Sequence, residues 1–503
     1  MEGFIMNTKK TAWLCLAVLV GSCLIYACSD PMGGDEKGKD ASFSITINGG
    51  GGGSRTATTL SWDGETKIDE LLHTITLTND SGQVIPREGV SVGKTEYFIV
   101  APGHWVITIQ AFKGSALKAE GSNDADLKPG RNPAITVTMR EPPFYVADSG
   151  QWEAACVAIK SRSGGTAEEY KNYTIKIIDN FPTTVIAYES TFGGTQYINV
   201  TITGNKTIRL EEQGSLLRIG SNQNVVIHDT NFEGNSVNNT ALIYVDGSNA
   251  RLTMEGKSSV FNNTRSTNGG GGVGGGGVYF TGSNSTFTMK DSASVHHNNT
   301  TDGWGGGVYF SGSGSTMTMK DNASVRHNNS TGGGGDGGGV YIINGTFNMK
   351  DTATISDNTT NCAGGGVYAA ISATFNMISG TISGNKTIGS TGSGGGGVCV
   401  ANGGTFNMTG GTISYNTAVD SGGGVWVYNA SFRMETGTIY GANESVSLKN
   451  ITQHFGAALH IINNGTAERG TFHTPGDPTS EWTKNYNLTN SDDTIRVRNG
   501  VVQ

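Results

Sequence analysis

From about residue 201 to residue 463 the chain repeats itself with a period near 30, and a period of that length admits few folds. Three anchors recur in fixed order. The first is a Gly-rich entry into an apolar–aromatic–apolar triplet: Val278-Tyr279-Phe280, Val308-Tyr309-Phe310, Val340-Tyr341-Ile342, Val367-Tyr368-Ala369, Val398-Cys399-Val400 and Val425-Trp426-Val427. The second is a Phe-x-Met-like strand ending at Met289, Met319, Met349, Met377, Met408 and Met434. The third is an apolar, mostly β-branched residue three places before Asn298, Asn328, Asn358, Asn385 and Asn416, with weaker copies upstream at Asn205, Asn235 and Asn263.

The spacing shows which connections are rigid. Met to the β-branched anchor is five or six residues, whereas Asn to the next triplet reaches fifteen. One Gly-rich loop therefore absorbs the variation, and three short strands per repeat stack on their equivalents. That is a β-solenoid, expected over residues 142–470 with eight or nine rungs at ~4.8 Å each. Val278 and Phe287, with their equivalents, are expected to form inward ladders. The Asn column is expected inside a turn, its amides bonding along the axis. Solenoid ends need covering. Trp152, Ala155, Cys156 and Ile159 have helical spacing and predict a capping helix over 151–161; residues 471–503 are expected to close the other end.

Residues 42–141 alternate with period two, as in Phe43/Ile45/Ile47 and Trp105/Ile107/Ile109, which predicts a small immunoglobulin-like β-sandwich acting as a spacer. The chain is thus expected to be all-β. Composition narrows the class further. Gly supplies 77 of 503 residues but Pro only 10, without a three-residue period, so collagen is excluded. Charged residues are 15%, too few for charge-driven disorder. The net charge is −8 and no Lys/Arg run occurs, so no nucleic-acid partner is expected.

Lys9 and Lys10 precede an apolar stretch from Thr11 to Ala27, the layout of an export signal. Cys28, after Ile25-Tyr26-Ala27, resembles the cysteine of a bacterial lipobox; Cys23 is the rival. Residues 1–27 then form the signal peptide and 28–41 a flexible tether, with the membrane as a partner through the lipid. Cys156, Cys362 and Cys399 remain, an odd number far apart, which argues against a disulfide framework.

The pairing of Gly-Gly-x-Val with Phe/Val/Ile-x-x-Asn resembles the repeats of the polymorphic outer-membrane adhesins, over about Thr201 to Asn463. The resemblance implies a right-handed parallel β-helix of the pectate lyase-like superfamily. Those adhesins end in a membrane β-barrel, whereas the sequence given ends at Gln503 without one, so display is expected to rely on the lipid. The function expected is non-catalytic binding or adhesion to host matrix, protein or glycan, in the outer membrane or at the cell surface. The alternatives are a polysaccharide lyase or hydrolase and a purely structural envelope protein. Pectin-active relatives use clustered carboxylates; here Asp291, Asp321 and Asp351 each follow a Lys, a mutually neutralising pattern. Catalytic residues and cofactors are therefore not expected. His297, His327 and Asp357 share one turn position and are the only metal candidates, although such turn positions are usually solvated. The binding face is expected on the middle residue of each triplet, placed outward by strand alternation: Tyr244, Tyr279, Tyr309, Tyr341, Tyr368 and Trp426. Rings stacking merely to stiffen the rod is the competing reading of that column.

Replacing Cys28 with Ala is expected to abolish metabolic lipid labelling and release the protein from membranes. Labelling that persists in this variant transfers the assignment to Cys23 or removes it altogether.

Overall fold

The computed structural model describes residues 24–26, 40–47, 67–133, 135, 137–187, 189–266, 274–389, 392–453, 456–462, 466–469, 490–491, 495–498 and 501–502. Two compact units divide the chain, Met1–Pro142 and Pro143–Gln503.

The first unit is a pair of mostly antiparallel sheets around one core. One sheet has the order Val84–Ser91, Leu72–Asn79, Gly103–Lys113 and Ala116–Leu127. The other is built on Ala41–Ile47 and Thr95–Val100. Alternation buries Ile75, Leu77, Trp105, Ile107 and Ile109 from the first against Phe43, Ile45, Phe98 and Val100 from the second. Trp105 Nε1 donates to the Ala101 carbonyl at 2.9 Å, so the polar tip of the largest core side chain is satisfied. Leu24–Tyr26 pairs between Ala41–Ile47 and Val137–Thr138. That strand lies within the segment assigned above to the signal peptide, so cleavage before Cys28 would remove it. Cys28 itself and the tether up to residue 39 lie outside the described residues.

The second unit is a right-handed parallel β-solenoid of about ten turns. Four sheets run along its axis. The Phe-x-Met strands make a 12-stranded sheet from Phe144–Val146 to Thr466–Arg469. The strands before the Asn residues, such as Ser294–His296, make a second, which ends in antiparallel strands Ile495–Arg498 and Val501–Val502. The triplets make a third sheet of 10 strands, and two-residue strands after each Asn, such as Asn299–Thr300, make a fourth of seven. The eight or nine turns expected are too few. The first turns use longer strands, Lys171–Ile177 and Ile198–Thr203, and lack the Gly-rich triplet that marks the repeat.

Every rung stacks in register on the next. Phe287, Met317, Phe347, Phe375, Phe406 and Phe432 align in one column, and the Phe347, Phe375, Phe406 and Phe432 rings stack with centroids 4.8–5.0 Å apart. Val278 and its equivalents are fully buried opposite them. At the N-terminal end the helix Ser149–Lys160, N-capped by Asp148, lays Trp152, Ala155, Cys156 and Ile159 on the first turns. Burial pushes the Cys156 thiol up to about 12, which makes it an inert packing residue.

The tightest turn carries the asparagines. Asn263, Asn298, Asn328, Asn358, Asn385 and Asn416 are all fully buried. Asn328 Nδ2 donates to Asn358 Oδ1 at 2.9 Å, and the Asn328 backbone N–H reaches the same oxygen at 3.0 Å. Asn358 repeats both bonds to Asn385, and Asn385 to Asn416. Each amide also donates to a carbonyl one turn back, Asn358 to Val325 at 3.0 Å. The ladder amides from Asn298 to Asn416 are thereby matched with partners on both neighbouring turns.

Glycine makes room for it. A Cβ on Gly339 would lie 2.9 Å from Asn358 Nδ2, and the equivalent glycines face their own Asn at 2.8–3.0 Å. Two residues earlier Gly337 holds φ at +67°, where a Cβ would meet the Val340 carbonyl oxygen at 2.6 Å.

Two members of the expected column are misplaced. Asn205 is exposed and follows a strand of the Phe-x-Met sheet, so it belongs to a different turn. Asn235 is only half-buried and donates to the Glu212 carbonyl. Asn238, three residues on, holds the ladder position and donates to Asn263 at 2.8 Å. At the far end the ladder gains Asn450, which accepts from Asn416 at 3.0 Å. Short insertions after Phe232 and Ile439 displaced both residues from the three-residue spacing.

Asn358→Leu strands the amide and N–H of Asn328 and the carbonyl of Val325, and is expected to cost roughly 1–3 kcal/mol. The same change at exposed Asn329 is expected to stay within about 0.5 kcal/mol. Equal unfolding midpoints for the two variants would show that the ladder is not supporting the fold.

Candidate functional site

Each triplet turns its middle residue away from the barrel core, and these residues form one stacked column. Tyr244, Tyr279, Tyr309, Tyr341 and Tyr368 follow each other at centroid distances of 4.7, 4.9, 5.3 and 5.1 Å. The column is not an exposed face. Tyr279, Tyr309, Tyr341 and Tyr368 keep only 4–8% of their surface, and Tyr244 and Trp426 are half-buried. The Gly-rich loops fold back over the rings: a Cβ on Gly337 would lie 2.9 Å from that of Tyr341, and one on Gly394 would enter the Trp426 ring. Trp304, from one such loop, stacks on Tyr341 at 5.5 Å. Cys399 takes the next place in the column and is fully buried. Strand alternation therefore gave the side of the strand correctly but not the second layer that covers it. Desolvation raises the phenol pKa values of Tyr279, Tyr341 and Tyr368.

Asp336 sits in the loop over this stack, and its Oδ1 accepts the Ala363 N–H at 2.9 Å. Burial pushes its carboxyl up to about 6, against the opposing pull of that hydrogen bond. Nothing in the sequence pattern marked it beyond its isolation among glycines.

Just before five of the ladder asparagines a non-glycine residue holds positive φ: Asn262, His297, His327, Asp357 and Tyr415 lie between 52° and 57°, while Gly384 takes that place before Asn385. His297 and His327 stand with ring centroids 4.9 Å apart at 31°. Asp357 does not join them. Its Oδ1 lies 2.4 Å from where a Cβ on Gly384 would be, so the carboxylate leans toward the following turn. The expected trio of His297, His327 and Asp357 is therefore not gathered at one point, and no three His, Cys, Asp or Glu side chains form a metal-binding group among the described residues. The neighbour that sequence reasoning passed over is His296, whose Nδ1 lies 2.8 Å from Nδ1 of His297. Burial, then Arg326 and the adjacent histidines, pushes His296 down to about 4, and His297 shifts the same way.

At the first turn Asp291, Asp321 and Asp351 form a ladder of a different kind. The Gly256, Asp291 and Asp321 N–H groups donate to the next carboxylate at 3.0–3.3 Å. These acids hold positive-φ turns together, with Lys290 paired to Glu255 and Lys320 to Asp321 alongside.

The outward face of the Phe-x-Met sheet is a regular array of hydroxyls and amides, Thr286/Thr288 and Thr316/Thr318 giving way to Thr346/Asn348, Thr374/Asn376 and Thr405/Asn407. All are half-buried. Asn407 donates to Asn376 and Asn376 to Asn348, each at 2.9 Å. This second amide ladder lines an open groove of about 280 Å³ with Ile378, Thr409, Arg433 and Glu435. Ile378 is 48% exposed, and Arg433 pairs with Glu435 at 2.9 Å. Its signal was legible in the sequence as Thr-Phe-Asn-Met three times over, at 346–349, 374–377 and 405–408.

No protein-family model, curated protein or solved structure matches the chain.

Because the Asp336 carboxyl is harder to ionise when folded than unfolded, its contribution to stability is full below about pH 4 and is lost as pH rises through about 6. Asp336→Asn keeps the acceptor and removes the charge. It is expected to raise stability by about 1–2 kcal/mol at pH 7 and to leave it unchanged at pH 4, read by denaturant unfolding at both pH values.

Proposed function

We propose that the chain is a lipid-anchored cell-envelope protein whose rod binds an extracellular glycan, or a protein carrying one, without chemical turnover. The observation that carries this reading is the groove on the Phe-x-Met sheet. Its hydrogen-bonded Asn348/Asn376/Asn407 ladder offers donors and acceptors at a fixed rung spacing, and exposed Ile378 supplies an apolar patch beside them. A sugar chain presents the same mixture of hydroxyls and apolar ring faces. The amides are pre-ordered by one another, so little side-chain entropy is lost on binding. Binding therefore moves from the tyrosine column, which is covered, to this open face. Glu435 is the carboxylate among the groove's lining residues, and it is ion-paired to Arg433, an arrangement suited to holding a ligand rather than to moving a proton. The resemblance to surface adhesins agrees with this reading.

The test is a glycan array probed with wild type and with Ile378→Asp/Asn407→Ala. The variant is expected to lose binding roughly tenfold or more while β-sheet circular dichroism is unchanged. Undiminished binding places the site elsewhere. Shortened products after incubation with a bound glycan would replace the reading with a lyase or hydrolase, and a wild type that binds nothing would leave the structural role.

A further inference from the structure

We infer that Asp336 is the latch of a pH-operated cover over the tyrosine column, closed in acid and released toward neutral pH. The residue ties three successive Gly-rich loops together. Its backbone carbonyl accepts the Gly305 N–H at 2.9 Å, which fixes the loop that carries Trp304. Its Oδ1 accepts the Ala363 N–H, also at 2.9 Å, from the loop that follows. The backbone bond recurs on other turns, where the carbonyls of Trp304, Gly394 and Ser421 accept in the same way. The side-chain bond belongs to this turn, because those residues bring no carboxyl. Residues 332–335 and 337–339 are all glycine, so the side chain of Asp336 is the only one between Thr331 and Val340.

The Tyr341 and Tyr368 phenols and the Cys362 and Cys399 thiols stand around this carboxyl, and no lysine, arginine or histidine faces it among the described residues. One N–H does not replace the water lost, so burial holds the group up at about 6. In acid the neutral carboxyl keeps its bond to Ala363. The Thr360 hydroxyl and the Cys362 N–H, both donating to the Gly335 carbonyl, help to keep the loop down. As pH rises through about 6 the charge is better placed in water, and the stability of the closed loop is lost. Gly333 and Gly334 have open space around them and let the segment swing outward without strain. Tyr341, on which Trp304 stacks at 5.5 Å, is then uncovered. The stack thus offers flat apolar ring faces near neutral pH and withholds them in acid.

The experiment follows hydrogen exchange at the Gly305 amide and alkylation of half-buried Cys362 in the full chain, at pH 5 and pH 7.5, for wild type and Asp336→Asn. Base catalysis of exchange and ionisation of the thiol act on both proteins, so the wild-type to variant ratio isolates the latch. That ratio is expected to rise roughly tenfold between the two pH values for both probes. Electrostatics alone works the other way at Cys362. A charge on Asp336 raises its thiol further and would slow alkylation under a closed cover. The Gly395 amide, which donates to Ser421 on another turn, and the buried Cys156 thiol of the capping helix are expected to show no such rise. Asp336→Ser, which copies Ser421, is expected to abolish the pH dependence as well, so the test survives if asparagine disturbs the loop. A ratio that stays level or falls overturns the proposal. So does a rise that Cys156 shares, which would report unfolding of the whole unit.

Discussion

The second unit depends on one interaction, the amide of an asparagine shared between its own turn and the next. A two-residue strand must leave the barrel wall directly after the Asn, and the backbone there has no sheet partner for every group. The side chain supplies the missing donors and acceptors, and it does so in a space with no room for another heavy atom. That is why glycine and asparagine are found together: a Cβ on the residue before each triplet valine would crowd both the Asn amide of its own turn, at 2.8–3.0 Å, and the carbonyl of the equivalent glycine on the next turn. The inner Phe, Met and Val columns supply the apolar burial that drives folding, but apolar columns tolerate slippage. The amide ladder resists slippage, since a shift of a single residue would break the bonds each Asn makes to the next and, at Asn358 and Asn416, put Thr359 and Thr417 or Asp357 and Tyr415 in its place.

This division explains what was legible in the sequence. Repeats spell out contacts between equivalent residues, so the parallel sheets, the inward columns and the core of the Asn ladder could be read from Asn298 to Asn416 without coordinates. Asn205 and Asn235 were mistaken for the same reason. A spacing rule cannot distinguish two turns of one rung, nor follow an insertion that moves the functional residue from 235 to 238. The capping helix was visible in Trp152, Ala155, Cys156 and Ile159 because its period differs from everything around it.

What stayed hidden is everything that depends on a second layer. Tyr309 and Tyr341 point away from the core as alternation demands, yet the loops that vary most between repeats cover them. Those loops have no period, and their glycines say only that the backbone comes close to something. The same reasoning applied to the Phe-x-Met sheet leaves the half-buried Asn348, Asn376 and Asn407 lining an open groove. Chemistry at the surface of this protein is therefore decided by where the covering loops are absent. His296 was passed over because its partner is its own neighbour, and a search along columns does not inspect pairs within a rung.

The identical bonding of successive turns has a bearing on how such a chain came to its present length. An Asn donates forward and accepts from behind whatever the number of turns, so the turn from Ser294 to Ala323 could be copied or deleted as a unit and its neighbours would find the same partners. Only the ends are specialised, the helix at one and the antiparallel strands at the other. Unequal recombination within the gene would then change the reach of the rod and the number of outward threonine and asparagine rows together, leaving its cross-section untouched.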